Sequence, residues 1–246
     1  MVRAVRAPSA QRFSTVRWTA RMGAVTAEAL ADRQGTSIPS ARSRLVAAER
    51  EGLVSRQRPL TAQPALYVIT GAGLRACGLH GLGACRITPS NALHVIACAG
   101  VAVALEHCYP DHRLLSEREL RCQEGDAAAP LASVRLGHGP GGRPLFHRPD
   151  LVLCPARADG GLPVAIEVEL SMKAPRRLAD ICRAWARARH VAGVIYLAPP
   201  DVERALERAV ELVRGGQRIV VAPLGALAGG AQSVGISFAQ AITADP

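Results

Sequence analysis

The stretch from Pro163 to Leu170 constrains the fold of this chain more than any other. Val164, Ile166, Val168 and Leu170 stand at every second position, with Ala165, Glu167 and Glu169 between them. A side-chain period of two is that of a β-strand, so Glu167 and Glu169 project from one face of it. Upstream, Leu151–Cys154 reads as a short buried strand, and Asp159-Gly160-Gly161 is a turn signal between the two. Folded as a hairpin about the Ala158–Asp159 junction, the pair sets Asp150 opposite Glu167. Three carboxylates then converge. Unpaired, they would repel one another and raise each other's pKa.

A divalent cation resolves that repulsion, and hard oxygen donors suit Mg2+ or Mn2+. Such an ion polarises a phosphoryl oxygen and lowers the pKa of a bound water, which is the chemistry of phosphodiester hydrolysis. Lys173 follows within a few residues and is the only lysine, the other 29 of the 30 basic residues being arginine. Lysine can be tuned to exchange a proton near neutral pH, whereas arginine cannot. A helix opens at Pro175, with Leu178, Ile181, Cys182 and Trp185 as its apolar stripe. Lys173, Arg176, Arg177, Arg183 and Arg187 supply cations beside the carboxylates. The competing reading is a salt-bridge network in which Arg176, Arg177 and Arg183 neutralise an acidic strand face. Val194–Leu197, a helix over Asp201–Arg214 and Arg218–Ala222 complete a β-α-β tail, which suits a mixed sheet flanked by helices.

The N-terminal part has a different pattern. Residues 1–12 are rich in Arg and Ala and read as frayed. A helical stretch (Ser14–Val25) is followed by a short helix that Thr26 can cap, and Gln34-Gly35-Thr36 makes a turn. Ser37 then caps a third helix, Ile38–Glu51, in which Ile38, Ala41, Leu45 and Ala48 face a core and Ser40, Arg42, Ser43 and Arg44 face outward. Leu53–Arg58 and Ala65–Thr70 read as two strands. Residues 71–90 form a Gly-rich connector, residues 91–108 an apolar linking helix, and a second domain starts near Pro110.

The formal net charge is +10, and residues 1–60 hold eleven arginines against four acidic residues. A balance of this kind favours a polyanion as partner. Seven scattered cysteines and no apolar leader after Met1 point to reduced thiols in the cytoplasm. Cys77, His80 and Cys85 lack the second ligand pair of a structural zinc site. The one long apolar run, Ala92–Leu105, is shorter than a bilayer span and reads as a buried helix, so no membrane association is expected.

Two resemblances follow from these segments. "AEALADRQGTSIPSARSRLVAAEREGLVSR" resembles the winged helix-turn-helix family. The likeness implies a third helix in the major groove of double-stranded DNA, with Ser40, Arg42, Ser43 and Arg44 upon it and Arg56 and Arg58 in the wing near phosphates. Pro149-Asp150 and Glu167-Val168-Glu169 resemble the PD-(D/E)xK nuclease superfamily, with the helix from Pro175 matching the one that follows that motif. The likeness implies a catalytic set of Asp150, Glu167, Glu169 and Lys173. The metal ligands would be Asp150, Glu167 and Glu169, with Glu117 of "LLSERELR" as a fourth. Glu119 there fits a capping box with Ser116 instead. Arg176 and Arg177 would contact DNA. The third motif position holds Glu169 where most members have lysine. Some members keep activity with glutamate, some move the lysine, and others have lost catalysis.

The order of segments is similar to the replication-relaxation family, associated with plasmid DNA replication control. It implies an α/β (α+β overall) protein with an N-terminal winged helix-turn-helix over 13–70, a connector and linking helix over 71–109, and over 110–225 a restriction-endonuclease-like mixed sheet flanked by helices. The expected activity is DNA binding with Mg2+-dependent endonuclease chemistry. The expected partners are double-stranded DNA, a second copy of the chain and replication proteins. The alternatives are a non-enzymatic DNA-binding regulator whose degenerate nuclease fold serves dimerisation or partner binding, and an adaptor whose winged helix binds protein.

Overall fold

The computed structural model describes residues 10–125, 129–155 and 161–227. The chain is a mixed α+β protein that divides into two compact units, Met1–Val103 and Ala104–Pro246.

In the first unit, α1 (Ala10–Met22) ends at Gly23, whose φ of +85° only glycine adopts cheaply. The next residues form a short strand, β1 (Ala24–Val25), where a continued helix was expected. Thr26 caps α2 (Ala27–Gln34), its Oγ1 accepting from the Ala29 N–H at 3.1 Å. Gly35 closes that helix in the left-handed region. Ser37 caps α3 (Ile38–Arg50), and Ala41, Leu45 and Ala48 enter the core. Ile38, expected on that stripe, is 41% exposed because it lies in the first turn among exposed Ser37, Pro39 and Ser40.

The strands β2 (Val54–Gln57) and β3 (Leu66–Ile69) pair antiparallel, and β1 pairs with the other edge of β3. All of β3 is buried: Tyr67 and Ile69 pack among the helices, while Leu66 and Val68 pack on the opposite side with Ala24 and Ala92. The stretch expected as a connector is structured. It contains α4 (Gly71–Ala76) and a 3-10 turn at His80–Leu82, and Leu74 and Cys77 belong to the core. Gly73 makes this packing feasible, since a Cβ there would stand 2.1 Å from the Leu53 carbonyl oxygen. The apolar helix α5 (Pro89–Cys108) is 20 residues long and starts two residues before the 91–108 read from sequence. By length and composition it could cross a membrane. Its Ala92, Ala99 and Val103 are buried in the cores of the first unit.

The second unit is built on a five-stranded sheet. Its strands are β4 (Arg113–Ser116), β7 (Leu151–Cys154), β8 (Val164–Val168), β9 (Gly193–Ala198) and β10 (Ile219–Pro223), in the order β10-β9-β8-β7-β4. The first three of that order are mutually parallel, and β7 and β4 run antiparallel to their neighbours. Between β4 and β7 lie α6 (Glu117–Glu124) and a hairpin of β5 (Val134–His138) with β6 (Pro144–His147), which sequence periodicity did not reveal. The helices α7 (Pro175–Arg187) and α8 (Pro200–Leu212) connect the parallel strands. Leu178, Ile181, Cys182 and Trp185 of α7 and Val202 and Leu206 of α8 pack with Leu115, Val152, Ala165, Val194 and Tyr196 of the sheet. Asp159 and Gly160 of the expected turn lie outside the described residues, as do residues 1–9.

Candidate active site

The β7–β8 ladder pairs Leu151 with Ile166 and Val152 with Ala165. One step further along that register stands Asp150, opposite Glu167. The period of two then puts Asp150, Glu167 and Glu169 on the side of the sheet that carries Val152 and Ala165, which is the side packed by α7. On the other edge of β8, Glu167 is in register with Tyr196 of β9. Glu167 and Glu169 are only 5% and 7% exposed, unusual values for carboxylates.

Backbone groups hold the cluster. The Val168 N–H donates to Asp150 Oδ2 at 2.8 Å, tying the two strands beyond their last ladder pair. The Glu117 N–H donates to the Asp150 carbonyl oxygen at 2.8 Å, and the Glu169 N–H donates to the Leu197 carbonyl oxygen at 3.0 Å. Side chains do the rest. His147 Nε2 lies 2.6 Å from Glu167 Oε1, and its ring meets Trp185 edge-on with centroids 6.1 Å apart. Lys173 Nζ pairs with Glu169 Oε2.

The electrostatics express this crowding. Burial pushes the Glu167 carboxyl above its ordinary range, opposed by His147 and reinforced by Asp150. Burial lowers the Lys173 ammonium, opposed by Glu167 and Asp150, with Arg177 adding to the lowering. Burial, then Glu167, raises the Tyr196 phenol well above its usual value and the Cys182 thiol to about 11. Counting only the carboxylates and the ammonium, three against one give a formal excess of two negative charges (−3 + 1 = −2). That donor set fits one divalent cation, whose charge matches the excess and whose preference is for oxygen.

Asp150, Glu167, Glu169 and Lys173 thus come together. Glu117 contributes its backbone, but its carboxylate pairs with Arg121 one helical turn away and its side chain is 39% exposed. Glu119 closes a capping box with Ser116. Arg176 and Arg177 stand exposed in the first turn of α7, and Arg183 pairs with Asp180 at 2.7 Å. The salt-bridge network of Arg176, Arg177 and Arg183 on the glutamates is not formed among the described ion pairs. In the first unit Ser40, Arg42, Ser43, Arg56 and Arg58 are exposed, with Arg42 at 3.9 Å from Glu28. Arg44 is half-buried and turned onto Gln34.

Sequence reasoning missed His147 and Tyr196. A histidine three residues before Asp150, ahead of an acidic strand, was a usable signal. The register that brings Tyr196 beside Glu167 arises from a parallel crossover and leaves no local trace. Sequence reasoning also missed a third buried acid, Glu124, which accepts from the N–H groups of Ala132 (3.1 Å) and Ser133 (2.9 Å) and from the Ser133 hydroxyl. Glu124 also pairs with Arg148 at 3.4 Å, fixing the chain between His147 and Asp150.

No family model and no curated protein matches the chain. Among solved structures it aligns with the crystal structure of protein VC1899 from Vibrio cholerae, at 13% identity and a TM-score of 0.36. The alignment covers 96% of this chain and 58% of that one. A likeness at that TM-score supports no conclusion about fold family or activity.

Proposed function

We propose that this chain is a cytoplasmic DNA-binding protein of replication-relaxation type, with a role in plasmid or mobile-element replication control. In this reading the second unit is a PD-(D/E)xK nuclease-like domain that cuts a phosphodiester, and the first a winged helix-turn-helix that locates double-stranded DNA. The observation that carries it is the buried cluster of Asp150, Glu167 and Glu169 with Lys173 against it.

Asp150, Glu167 and Glu169 would hold Mg2+ or Mn2+. A cation there supplies charge for a phosphoryl oxygen and a more acidic water. The chain's own groups do the positioning. His147 fixes the Glu167 carboxylate by its hydrogen bond, and the Val168 N–H fixes that of Asp150. Lys173, its ammonium lowered by burial, can orient the attacking water and give up or take a proton more readily than an exposed lysine. Supporting the first unit's role are the capped third helix and the exposed Arg42, Arg56 and Arg58. The Mn2+-loaded chain is expected to nick supercoiled plasmid on an agarose gel, and Asp150→Ala to abolish nicking with its circular dichroism unchanged. Wild-type chain that neither binds Mn2+ by electron paramagnetic resonance nor nicks any DNA form would remove the reading.

One observation favours a second reading, a non-enzymatic regulator with a degenerate site. Lys173 is engaged by Glu169, the residue in the position where the superfamily pattern has lysine. That reading expects DNA binding without cleavage, and Asp150→Ala without consequence for function.

A further inference from the structure

A groove with a volume of 480 Å³ runs between β5 and the C-terminal half of α7, within the second unit. Arg135 lines one wall, Arg183 and Arg187 the other, and Arg189 and His190 close its end. Asp180 is the one acid among them and is already paired with Arg183. Counting only the guanidinium and carboxylate groups, four against one leave +3 in the groove (+4 − 1 = +3). Arg135, Arg183, Arg187 and Arg189 are all exposed, so that charge faces water. Arg187 and Arg189 have no ion-pair partner among the described residues. Burial, and next the charge of Arg189, hold the neighbouring Arg218 below its ordinary value, a sign that cations crowd this end.

The groove continues the helix that leaves the carboxylate cluster. Arg176, Arg183 and Arg187 are spaced seven and four residues apart and share one face of α7. The 11 residue steps from Arg176 to Arg187 rise about 16 Å at roughly 1.5 Å each. That distance is about five base steps of a B-DNA strand at roughly 3.4 Å per step. A single phosphate could occupy only part of this row. A chain of phosphates matches it, because guanidinium groups bind phosphate oxygens in a paired, planar geometry.

We propose that the arginine groove between β5 and α7 holds the phosphate backbone of a DNA strand, independently of base sequence and of any ion at the carboxylates. The proposal rests on the reading of the second unit as acting on DNA, and extends it by assigning the surface along which the strand lies. Binding is separable from cutting, so the two can fail separately.

The test is fluorescence anisotropy of the full-length chain with a labelled duplex in EDTA, across a KCl series. The triple variant Arg183→Ala/Arg187→Ala/Arg189→Ala is expected to lose affinity. The slope of log K against log salt should shrink by about 2 to 3, at roughly 0.9 per phosphate contact on a duplex. The single variant Arg187→Glu should weaken binding while leaving the fold intact, as read by circular dichroism. Wild-type affinity and slope in both variants would overturn the proposal. So would displacement of the duplex by inorganic phosphate or a mononucleotide at matching phosphate concentration, which would mark a small-anion site. Asp150→Ala should keep the wild-type slope even where it stops nicking. Absence of nicking with an intact Arg-dependent slope would count against the nuclease reading and for the groove.

Discussion

Replacing Glu124 by alanine tests whether this third buried glutamate holds the carboxylate site in place. Glu124 is 6% exposed and accepts from two backbone N–H groups and a hydroxyl, all on Ala132 and Ser133, which are themselves fully buried. The substitution strands those donors and leaves Arg148 without its counter-charge. Removing one partner of a buried ion pair costs about 3–5 kcal/mol, and each hydrogen bond to a charged group about 1.5–3 kcal/mol. These contributions share one carboxylate and do not add, so a loss of about 4–6 kcal/mol is expected. That is a large share of a total stability of roughly 5–15 kcal/mol. Glutamine keeps an acceptor for the backbone but still strips Arg148 of its counter-charge, so it should cost about 3–4 kcal/mol, less than alanine. The two tryptophans fall one in each unit, Trp18 and Trp185, both buried. Urea unfolding in a Trp18→Phe background therefore reports the second unit through Trp185 alone. Arg148 sits between His147 and Asp150, so Glu124→Ala should also weaken Mn2+ binding at temperatures where the unit is still folded. An alanine variant within about 1 kcal/mol of its parent would refute the reasoning.

Glu167→Gln should stabilise the ion-free chain while removing its response to the ion. Because burial raises the folded carboxyl, the stability it lends is complete below the ordinary carboxyl range and is lost as pH rises through the folded value. The advantage of the glutamine variant in EDTA should thus grow in urea melts as pH rises from the ordinary carboxyl range towards the raised folded value, and level off above it. At 100 times its Kd, Mn2+ should stabilise the wild type by about 2.7 kcal/mol and the variant not at all. Alkylation should rank the thiols by accessibility: exposed Cys122 reacts first with iodoacetamide at pH 8. Cys182, fully buried and pushed to about 11, stays intact by mass spectrometry until the protein unfolds. Gly73→Ala should cost about 1–3 kcal/mol, because its Cβ would lie 2.1 Å from the Leu53 carbonyl oxygen and backbone cannot yield as a side chain does. Gly100→Ala, in the helix α5 with nothing within 4 Å, should stabilise by about 0.5–1 kcal/mol; thermal melts of both glycine variants check the pair.

The parts of this architecture that sequence made legible are those written in short-range chemistry. Thr26, Ser37 and the Ser116–Glu119 box cap helices as their side chains dictate. The β7–β8 register follows from one turn signal and a two-residue period, and the apolar stripe of α7 is buried at all four of its positions. What escaped depends on partners distant in the chain. β1 is two residues that become a strand only because β3 accepts them. The Gly-rich stretch after Thr70 acquires a helix because Thr70 caps it and Gly73 allows it against Leu53. His147 arrives on a hairpin whose bulge between Arg135 and Gly137 breaks the period on which strand recognition relies. Glu117 was expected as a fourth ligand from the nuclease resemblance, yet Arg121 one turn on takes its carboxylate.

The acidic cluster and its histidine and lysine all come from the single stretch between His147 and Lys173. Contacts so close in sequence cost little loop-closure entropy, so the β7–β8 hairpin can form before the parallel strands that wait on α7 and α8. Formed in that order, the like charges would meet on the way to the native state. If the cluster takes up an ion as proposed, their repulsion would belong to the kinetic barrier, and the second unit is expected to refold faster in Mn2+ than in EDTA by stopped-flow Trp185 fluorescence.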